Sequence, residues 1–479
     1  MGGIDADRRR WRFVLLVTGL SSWLNTATFS TVNIGLTDIA KSFPGHSLSA
    51  IGWVITSYAI VFGAFLLPAG RFADRFGRLP VYNLGLALFA VGGIVAAIAP
   101  TFSLLIAARV VQGAGAAINA PASIGLLLEV TPPHERVRAI TLWSACTTIG
   151  GASGPTLGAL IIDNGGWQWA IAGPAVLTVG VWWLGRRHLP HTAPAASKAP
   201  LDVIGTLLAT ASMGLIVLAI SEGNRWGWGS PATVVAFVGT ALSAVLLVVR
   251  SLHHPEPVVP TKLFRARSFS VGTGTSVVLG VMGGSIQLTQ ALFLRQVWGY
   301  SALRAGLAIT PAPLFASLAS PIAARYGSRY GERAAALPGT IVMACSVSWY
   351  LFFMTSTPSY WAHLFPGAAF NGIGVAFAFP MISAAAVRDV LPTDLSIATA
   401  VTRAASQVGQ AVGVALILVL IGNGVAGIDR FRTCWWMLGA FCAVAAVTTL
   451  GLGPPRFNRG VLIRTNDDVA QPVQPVLRD

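Results

Sequence analysis

Two arginines lie well inside long apolar stretches of this sequence. Arg109 and Arg403 are flanked on both sides by aliphatic and small residues. A guanidinium in a lipid interior is costly, so we expect each to face a water-filled cavity or a polar partner and to have a function; capping by carbonyls is the alternative for Arg403. The acidic residues near such stretches lie towards their ends, at Asp38, Glu129, Asp163, Asp202 and Glu222. The deep fixed charge is therefore positive, which favours neutral or anionic amphipathic ligands over multivalent cations.

Other polar residues are candidates for substrate or proton contacts. Five amides lie inside apolar stretches, at Asn33, Gln112, Asn119, Asn371 and Gln407, although hydrogen bonds between helices explain them equally well. Proton coupling requires a carboxylate that is alternately wet and dry, so we expect the proton site to be Asp38, or Asp74 acting with the region of Arg109. The sequence has no Cys or His spacing typical of a metal site and no phosphate-binding glycine loop, so no metal, cofactor or nucleotide is expected.

The apolar stretches themselves determine the class of fold. Of 479 residues, 54% are hydrophobic and only 10% are charged, with a mean hydropathy of +0.68, so lipid must be the solvent. Stretches of about 20 mostly apolar residues recur about fourteen times. Backbone in lipid must satisfy its own hydrogen bonds and the stretches do not alternate with a period of two, so helices are predicted. We expect an all-α polytopic membrane protein in a lipid bilayer.

The basic residues are distributed unevenly among the connections between these stretches. About 24 of the 32 Lys and Arg fall on one side of a fourteen-span arrangement, and about 6 on the other. The positive-inside rule then places the basic loops and both termini in the cytoplasm of a multi-pass protein of the cell membrane. The net charge of +15 is spread over many loops, so no nucleic-acid partner is expected.

Two long polar connections divide the chain. Residues 188–200, rich in Pro and Ala, and residues 251–268 bracket spans seven and eight. We predict a six-helix bundle at residues 1–188, a linker with two extra membrane helices at 189–268, and a second six-helix bundle at 269–453. Residues 454–479 are expected to form a disordered cytoplasmic tail.

The connection after span two has the most specific spacing. Span two is predicted to end at Ala69. The loop that follows carries Gly70, Asp74, Arg75, Gly77 and Arg78. Its glycines are expected to allow a tight turn, and its aspartate to pair with a cation or a helix N-terminus. An ordinary basic loop that fixes orientation is the alternative.

This spacing resembles the signature loop of the major facilitator superfamily, which is held to latch the two halves of those transporters in the outward-facing state. The segment from Arg109 through Gly115 in span four, which includes Gly113, is similar to the second motif of that family. Span five carries Gly150, Gly154, Pro155 and Gly158, similar to the third motif, which is associated with exporters. Close helix packing explains these glycines nearly as well. Tyr326–Gly331, after span ten, is similar to a degraded copy of the signature loop.

Fourteen spans with these motifs resemble the drug:proton antiporters that have fourteen helices. The resemblance implies a major facilitator fold of two six-helix bundles plus two extra helices. It also implies export of small amphipathic molecules in exchange for protons by alternating access. We expect a monomer and no enzymatic activity. One position departs from the pattern, because Thr28 stands where that branch usually has an aspartate. A metabolite uptake permease or facilitator therefore stays open, as does, more remotely, a membrane-embedded transferase that uses His134, His253 and His254.

Overall fold

Long helices make up almost all of the described chain. The computed structural model describes residues 2–132, 135–189, 202–391, 394–422 and 426–453, and these contain no β-strand. The long helices are α1 (Gly2–Ser42), α2 (Trp53–Phe76), α3 (Arg78–Ala97), α4 (Phe102–Val130), α5 (Arg136–Gly165), α6 (Trp167–His188), α7 (Val203–Trp226) and α8 (Pro231–His253). They continue as α9 (Arg267–Gln296), α10 (Ala302–Tyr330, interrupted at Thr310), α11 (Glu332–Phe353), α12 (Phe365–Val387), α13 (Leu395–Ile421) and α14 (Ile428–Gly451).

The number of long helices agrees with the prediction of about fourteen spans. Thirteen are long and apolar enough to cross a membrane, and α6 is the fourteenth long helix of the described residues. α6 has 22 residues. At 1.5 Å per residue that length is about 33 Å, enough for a hydrocarbon core of about 30 Å. Its four tryptophans and Gln168 lower its mean hydropathy. The expected all-α polytopic fold is confirmed.

The helices pack as two groups. α1–α6 contact one another, most extensively through the pairs α3–α4, α1–α5 and α2–α4, and form what we call the N-terminal bundle. α9–α14 form the C-terminal bundle, chiefly through α9–α13, α11–α12 and α10–α12. Glycines permit the closest approaches. A Cβ atom on Gly92 of α3 would lie 2.6 Å from the backbone nitrogen of Gln112 in α4.

The remaining helices, α7 and α8, pack against each other as a hairpin that contacts both bundles. α7 lies against α2 of the N-terminal bundle and α13 of the C-terminal bundle. The contact is an apolar cluster of Ala59, Ile60, Val217, Ile220, Ala411 and Ala415. The linker at 190–201 that precedes this hairpin, the tail at 454–479 and His134 lie outside the described residues.

Asp202 fixes the hairpin where α7 begins. One carboxylate oxygen accepts a hydrogen bond from the Gly205 amide at 2.8 Å and from Nε of Arg250 in α8 at 2.5 Å. The other accepts from the Val258 amide at 3.2 Å. Burial raises the pKa of Asp202, but the Arg250 guanidinium and the two amides outweigh it and hold the pKa below its usual value. The aspartate therefore stays ionised and ties both helices to the connection that leads to α9.

The segment predicted to be a loop after span two is helical for most of its length. α2 continues to Phe76 instead of ending at Ala69, because nothing in this stretch interrupts the backbone hydrogen bonds. The expectation that Gly70 helps to form the turn is therefore wrong. Gly77 makes the turn at a φ of 91°, which favours glycine. Gly331, between α10 and α11, has the same φ of 91°, as expected for a copy of this turn.

The helix assembly has two ends. The Asp38 end contains the last turns of α1 and α9 and the first turns of α2 and α10. The Arg78 end contains the last turns of α2 and α10 and the first turns of α3 and α11.

Candidate functional site

A cavity of about 380 Å³ lies between the two bundles. It is lined mainly by α1, α2 and α5 on one side and by α9, α12 and α13 on the other. Its volume falls in the range of small-molecule pockets, roughly 300–1,000 Å³. Trp143 and Thr402 of its lining lie only seven residues after the first residues of α5 and α13, Arg136 and Leu395. The cavity therefore extends from the middle of the assembly towards the Arg78 end.

Aromatic side chains form one part of the wall contributed by the N-terminal bundle, beside polar residues such as Asn25, Ser30 and Thr147, and we call this part the aromatic wall. The ring centroids of Phe29 and Tyr58 lie 5.8 Å apart, and those of Tyr58 and Phe62 lie 6.1 Å apart with their planes within 6° of parallel. Trp143 and Leu66 extend this surface. Such a wall can hold a flat apolar ring.

The opposite wall is polar because one face of α13 carries polar side chains. Arg403, Ser406, Gln407 and Gln410 follow the i, i+3, i+4, i+7 spacing of a single helix face, and all four line the cavity. The expectation that Arg403 faces a cavity is met. Its side chain is exposed there, and it has no hydrogen-bond or ion-pair partner among the described residues. Gln407 also packs against α2, since a Cβ atom on Gly63 would lie 3.1 Å from its Cβ.

Arg109 has a protein partner instead of facing the cavity. Its side chain is fully buried in the N-terminal bundle. Nε donates to the carbonyl of Val54 at 2.8 Å, and Nη1 donates to Oε1 of Gln112 at 2.5 Å. Its guanidinium lies 4.5 Å from the ring centroid of Tyr58. Because Tyr58 lines the cavity, Arg109 supports the aromatic wall from behind. Gly113 permits this packing, since a Cβ atom there would lie 2.7 Å from the Tyr58 carbonyl oxygen.

Four of the five predicted amides lie outside the cavity lining, and two of them connect helices. Asn119 accepts a hydrogen bond of 3.3 Å from Asn25, a residue of the cavity wall. Asn33 donates at 3.3 Å to Gln287 of α9, and so links the two bundles. Asn371 of α12 is buried outside the cavity lining, and its Oδ1 has no hydrogen-bond partner among the described residues.

The bundles meet at the Asp38 end through an ion pair. Nη2 of Arg295 in α9 lies 2.5 Å from a carboxylate oxygen of Asp38 in α1, and its Nε donates to the Thr37 hydroxyl at 3.1 Å. The Arg295 side chain is 11% exposed and that of Asp38 is 21% exposed, so the pair is shielded from most of the solvent. Lys41 also contacts Asp38, at 3.2 Å, from the same helix. Asp38 is therefore part of a contact between the bundles and lies outside the cavity lining.

α5 packs both against α1 within its own bundle and against α10 of the other bundle. Its glycines Gly150, Gly154 and Gly158 face α1 within the N-terminal bundle, and a Cβ atom on Gly150 would lie 2.5 Å from the Trp23 carbonyl oxygen. Pro155 faces the other bundle: its carbonyl oxygen would lie 2.6 Å from a Cβ atom on Gly306 of α10.

Polar groups strengthen this contact between α5 and α10. The hydroxyl groups of Thr156 and Thr310 hydrogen-bond to each other across the interface. Asp163 accepts the backbone N–H groups of Ala302 and Leu303 at 3.0 and 2.9 Å, which caps the start of α10.

At the Arg78 end, the signature residues pair within the N-terminal bundle. The carboxylate of Asp74 lies 3.5 Å from Arg78, which also lies 3.0 Å from Glu129 and donates to the Gly125 carbonyl at 3.0 Å. Arg75 follows Asp74 in α2, and its guanidinium is 5.5 Å from the ring centroid of Phe76. Asp74 is twenty residues along α2 from Val54, the partner of Arg109, which is about 30 Å of helix. The structure therefore does not bring Asp74 and Arg109 together.

Several residues of this arrangement were not anticipated from the sequence. Arg295 lies at the end of a span and resembles any other flanking basic residue. Thr156 and Thr310 have side chains common inside membrane helices. The polar wall could have been predicted from Gln287 and Gln410, because these two polar residues lie inside apolar stretches. The histidines considered for a transferase make local contacts, since His253 hydrogen-bonds to the Val249 carbonyl and His254 accepts from the Glu256 amide.

Comparison with known proteins identifies the family. The chain matches the family model of the Major Facilitator Superfamily over residues 18–272 and 268–477. It is 28% identical over 443 residues to the methylenomycin A resistance protein of Bacillus subtilis, covering 91% of this chain and 92% of that protein. It is 29% identical over 406 residues to the multidrug resistance protein Stp of Mycobacterium tuberculosis, covering 84% and 74% respectively.

A solved structure has the same fold. The xylose transporter XylE from E. coli, in a partially occluded inward-open conformation, matches 93% of this chain and 98% of its own with a TM-score of 0.65. At 15% identity this likeness shows the fold alone. Together these matches confirm the resemblance inferred from the motifs, and the chain belongs to the Major Facilitator Superfamily.

Proposed function

We propose that this protein is a secondary-active exporter that exchanges small amphipathic molecules for protons by alternating access. The observation that carries the proposal is the position of the cavity, which lies between two bundles that contact each other at the Asp38 end. Rocking of one bundle against the other would close the cavity at one end and open it at the other. The protein is a carrier and not an enzyme, and it works as a monomer in the cell membrane.

The orientation follows from the distribution of charge. In the predicted fourteen-span arrangement about 24 of the 32 basic residues fall on the side to which the Arg78 end belongs, so we infer that this end and both termini are cytoplasmic. The cavity then reaches towards the cytoplasm while the Asp38 end is closed. This is the state in which an exporter collects its substrate.

The relatives support export over uptake. One is named for resistance to methylenomycin A and another for multidrug resistance. An uptake permease stays the second candidate because the described cavity lining contains no carboxylate that could carry a proton. Uptake would be distinguished from export if cells needed the protein to grow on an external nutrient and its loss did not change their drug tolerance.

Everted membrane vesicles test the proposal, because their interior corresponds to the outside of the cell. An acid interior is expected to drive uptake of an amphipathic dye into vesicles that contain the protein. Collapse of the pH gradient by nigericin should release the dye, and vesicles without the protein provide the background. Failure of the gradient to drive uptake across a panel of anionic, neutral and cationic amphipathic dyes would rule out proton-coupled export.

Asp38 is the proposed proton site, because a proton taken up there from the outer side would weaken the pair with Arg295 and free the bundles to separate. The exchange is complete when that proton leaves towards the cytoplasm before the pair forms again. Asp38→Asn removes the carboxylate, so a proton can no longer regulate the contact between the bundles. A hydrogen bond between charged groups contributes about 1.5–3 kcal/mol, so we expect gradient-driven accumulation to fall about tenfold or more. Exchange of substrate without a gradient should persist.

Lys41→Gln is the matched control for Asp38→Asn. It removes the other cation beside Asp38, which is exposed and belongs to the same helix, and leaves the contact between bundles in place. Its accumulation should match the unmodified protein. If Asp38→Asn also accumulates substrate normally, the proton is carried elsewhere.

A further inference from the structure

The cavity has a charge asymmetry that bears on its ligand. Its lining includes one basic side chain, Arg403, and no Asp, Glu, Lys or His among the described residues. In a cavity walled by protein and lipid, the effective dielectric constant is well below that of water, so a single unpaired charge has a strong influence on which ions enter. The cavity therefore attracts anions and repels cations.

Among the residues that the structure describes, Arg403 differs from Arg109 and Arg295 in having no hydrogen-bond or ion-pair partner. Arg109 is held by Val54, Gln112 and Tyr58, and Arg295 is held by Asp38. No acceptor in the described part of the chain takes the N–H groups of the Arg403 guanidinium, which lines the cavity. A guanidinium presents a planar fork of N–H groups that matches the two oxygens of a carboxylate, and Ser406 and Gln407 beside it can hydrogen-bond to the same group.

The aromatic wall belongs to the other bundle. Phe29, Tyr58 and Phe62 stand on the N-terminal bundle, whereas Arg403 stands on α13 of the C-terminal bundle. A ligand that uses both walls needs an apolar ring system at one end and an acidic group at the other. Such a ligand would also touch both moving bundles, so its binding would be sensitive to their relative position.

We infer that the cavity binds amphipathic organic acids as monoanions, with the carboxylate on Arg403 and the ring system against Phe29, Tyr58 and Phe62. Lipophilic cations are excluded by the same arginine. This inference rests on the proposed function only in naming the molecules that would be transported, since binding itself requires no gradient.

A matched series of ligands tests it. Pyrene on a butyl chain is used with a carboxylate, an amide or a trimethylammonium end, and binding is measured by equilibrium dialysis with purified protein in phosphatidylcholine nanodiscs. Empty nanodiscs correct for partition into lipid. A hydrogen bond between charged groups contributes about 1.5–3 kcal/mol, so the carboxylate should bind about 10- to 100-fold more tightly than the amide, and the cation more weakly than both.

Substitutions at Arg403 should remove this preference. Arg403→Gln should weaken binding of the carboxylate about tenfold or more and leave the amide within about twofold. Arg403→Lys keeps the charge without the planar fork and should give an intermediate affinity. Arg186→Gln, which removes an exposed guanidinium from the end of α6, should change nothing.

Three results would overturn the inference. They are equal binding of carboxylate and trimethylammonium by the unmodified protein, an unchanged preference in Arg403→Gln, and competition by phosphatidylglycerol in the nanodiscs, which would assign Arg403 to a lipid headgroup. The vesicle assay is independent of these results. A protein that binds the acid as expected but shows no gradient-driven uptake would keep this ligand class and lose the proposed coupling.

Discussion

Replacement of Arg109 by alanine is expected to reduce transport in everted vesicles to the level of vesicles without the protein. The buried guanidinium donates two hydrogen bonds and stacks on Tyr58. Two hydrogen bonds from a charged donor contribute about 3–6 kcal/mol together, which corresponds to a loss of roughly 100-fold or more if they act during the transport cycle. Loss of the guanidinium also removes the support behind the aromatic wall of the cavity.

Two further variants separate this effect from misfolding. Arg109→Lys keeps a cation but cannot reach Val54 and Gln112 with a planar fork, so its rate should be intermediate while its thermal unfolding stays close to that of the unmodified protein. Arg304→Ala removes another arginine stacked on a tyrosine, 4.0 Å from the ring centroid of Tyr300 at an exposed position, and should transport normally. Normal transport by correctly inserted Arg109→Ala would show that the residue is only a packing element.

The helices were predictable because lipid imposes length and hydropathy on every crossing. The extent of α2 was not, because the polar residues Arg71, Asp74 and Arg75 can continue a helix beyond the lipid as well as form a loop. Composition does not distinguish these outcomes. The turn at Gly77 could be anticipated from the freedom of glycine at positive φ.

The roles of Arg109 and Arg403 could not be distinguished from the sequence. Arg109 and Arg403 have similar apolar surroundings along the chain, and both were expected to face either a cavity or a partner. What differs is the neighbouring helix. The Val54 carbonyl reaches Arg109 from α2, whereas the face of α13 that carries Arg403 opens into the cavity.

The proposed proton site, Asp38, depends on a contact between distant residues that their spacing in the sequence does not reveal. Thr28, at the position where an aspartate is usual, hydrogen-bonds to the Leu24 carbonyl of its own helix at 2.8 Å and is buried. Asp38 meets Arg295 across 257 positions of sequence. Local patterns identify helices and their faces, but they do not identify which distant charge will be opposite a given carboxylate.

A reversible cross-link between the bundles should stop transport completely. Thr156 of α5 and Thr310 of α10 belong to different bundles, and their hydroxyl groups are hydrogen-bonded. Cysteines at both positions would place two sulfur atoms where a disulfide can form with little movement. The native cysteines Cys146, Cys345, Cys434 and Cys442 are free and must first be replaced. Because the disulfide would hold the Asp38 end closed, substrate bound from the cytoplasm could not leave on the other side.

A second cysteine pair within one bundle is the matched control. The hydroxyl groups of Ser22 in α1 and Thr147 in α5 lie 2.8 Å apart, and both helices belong to the N-terminal bundle. If each bundle moves as a unit, a disulfide at this pair should leave the rate equal to that of the same variant after reduction. Comparing each variant with its own reduced form cancels any effect of the substitutions themselves.

The most direct measurement is therefore the rate of gradient-driven uptake by the Thr156→Cys/Thr310→Cys protein before and after reduction. Alternating access between two bundles predicts no uptake while the disulfide is intact and full recovery with a reductant. Uptake by the quantitatively cross-linked protein at its reduced rate would contradict the account, because the cavity could then exchange its contents without separation of the bundles at the Asp38 end.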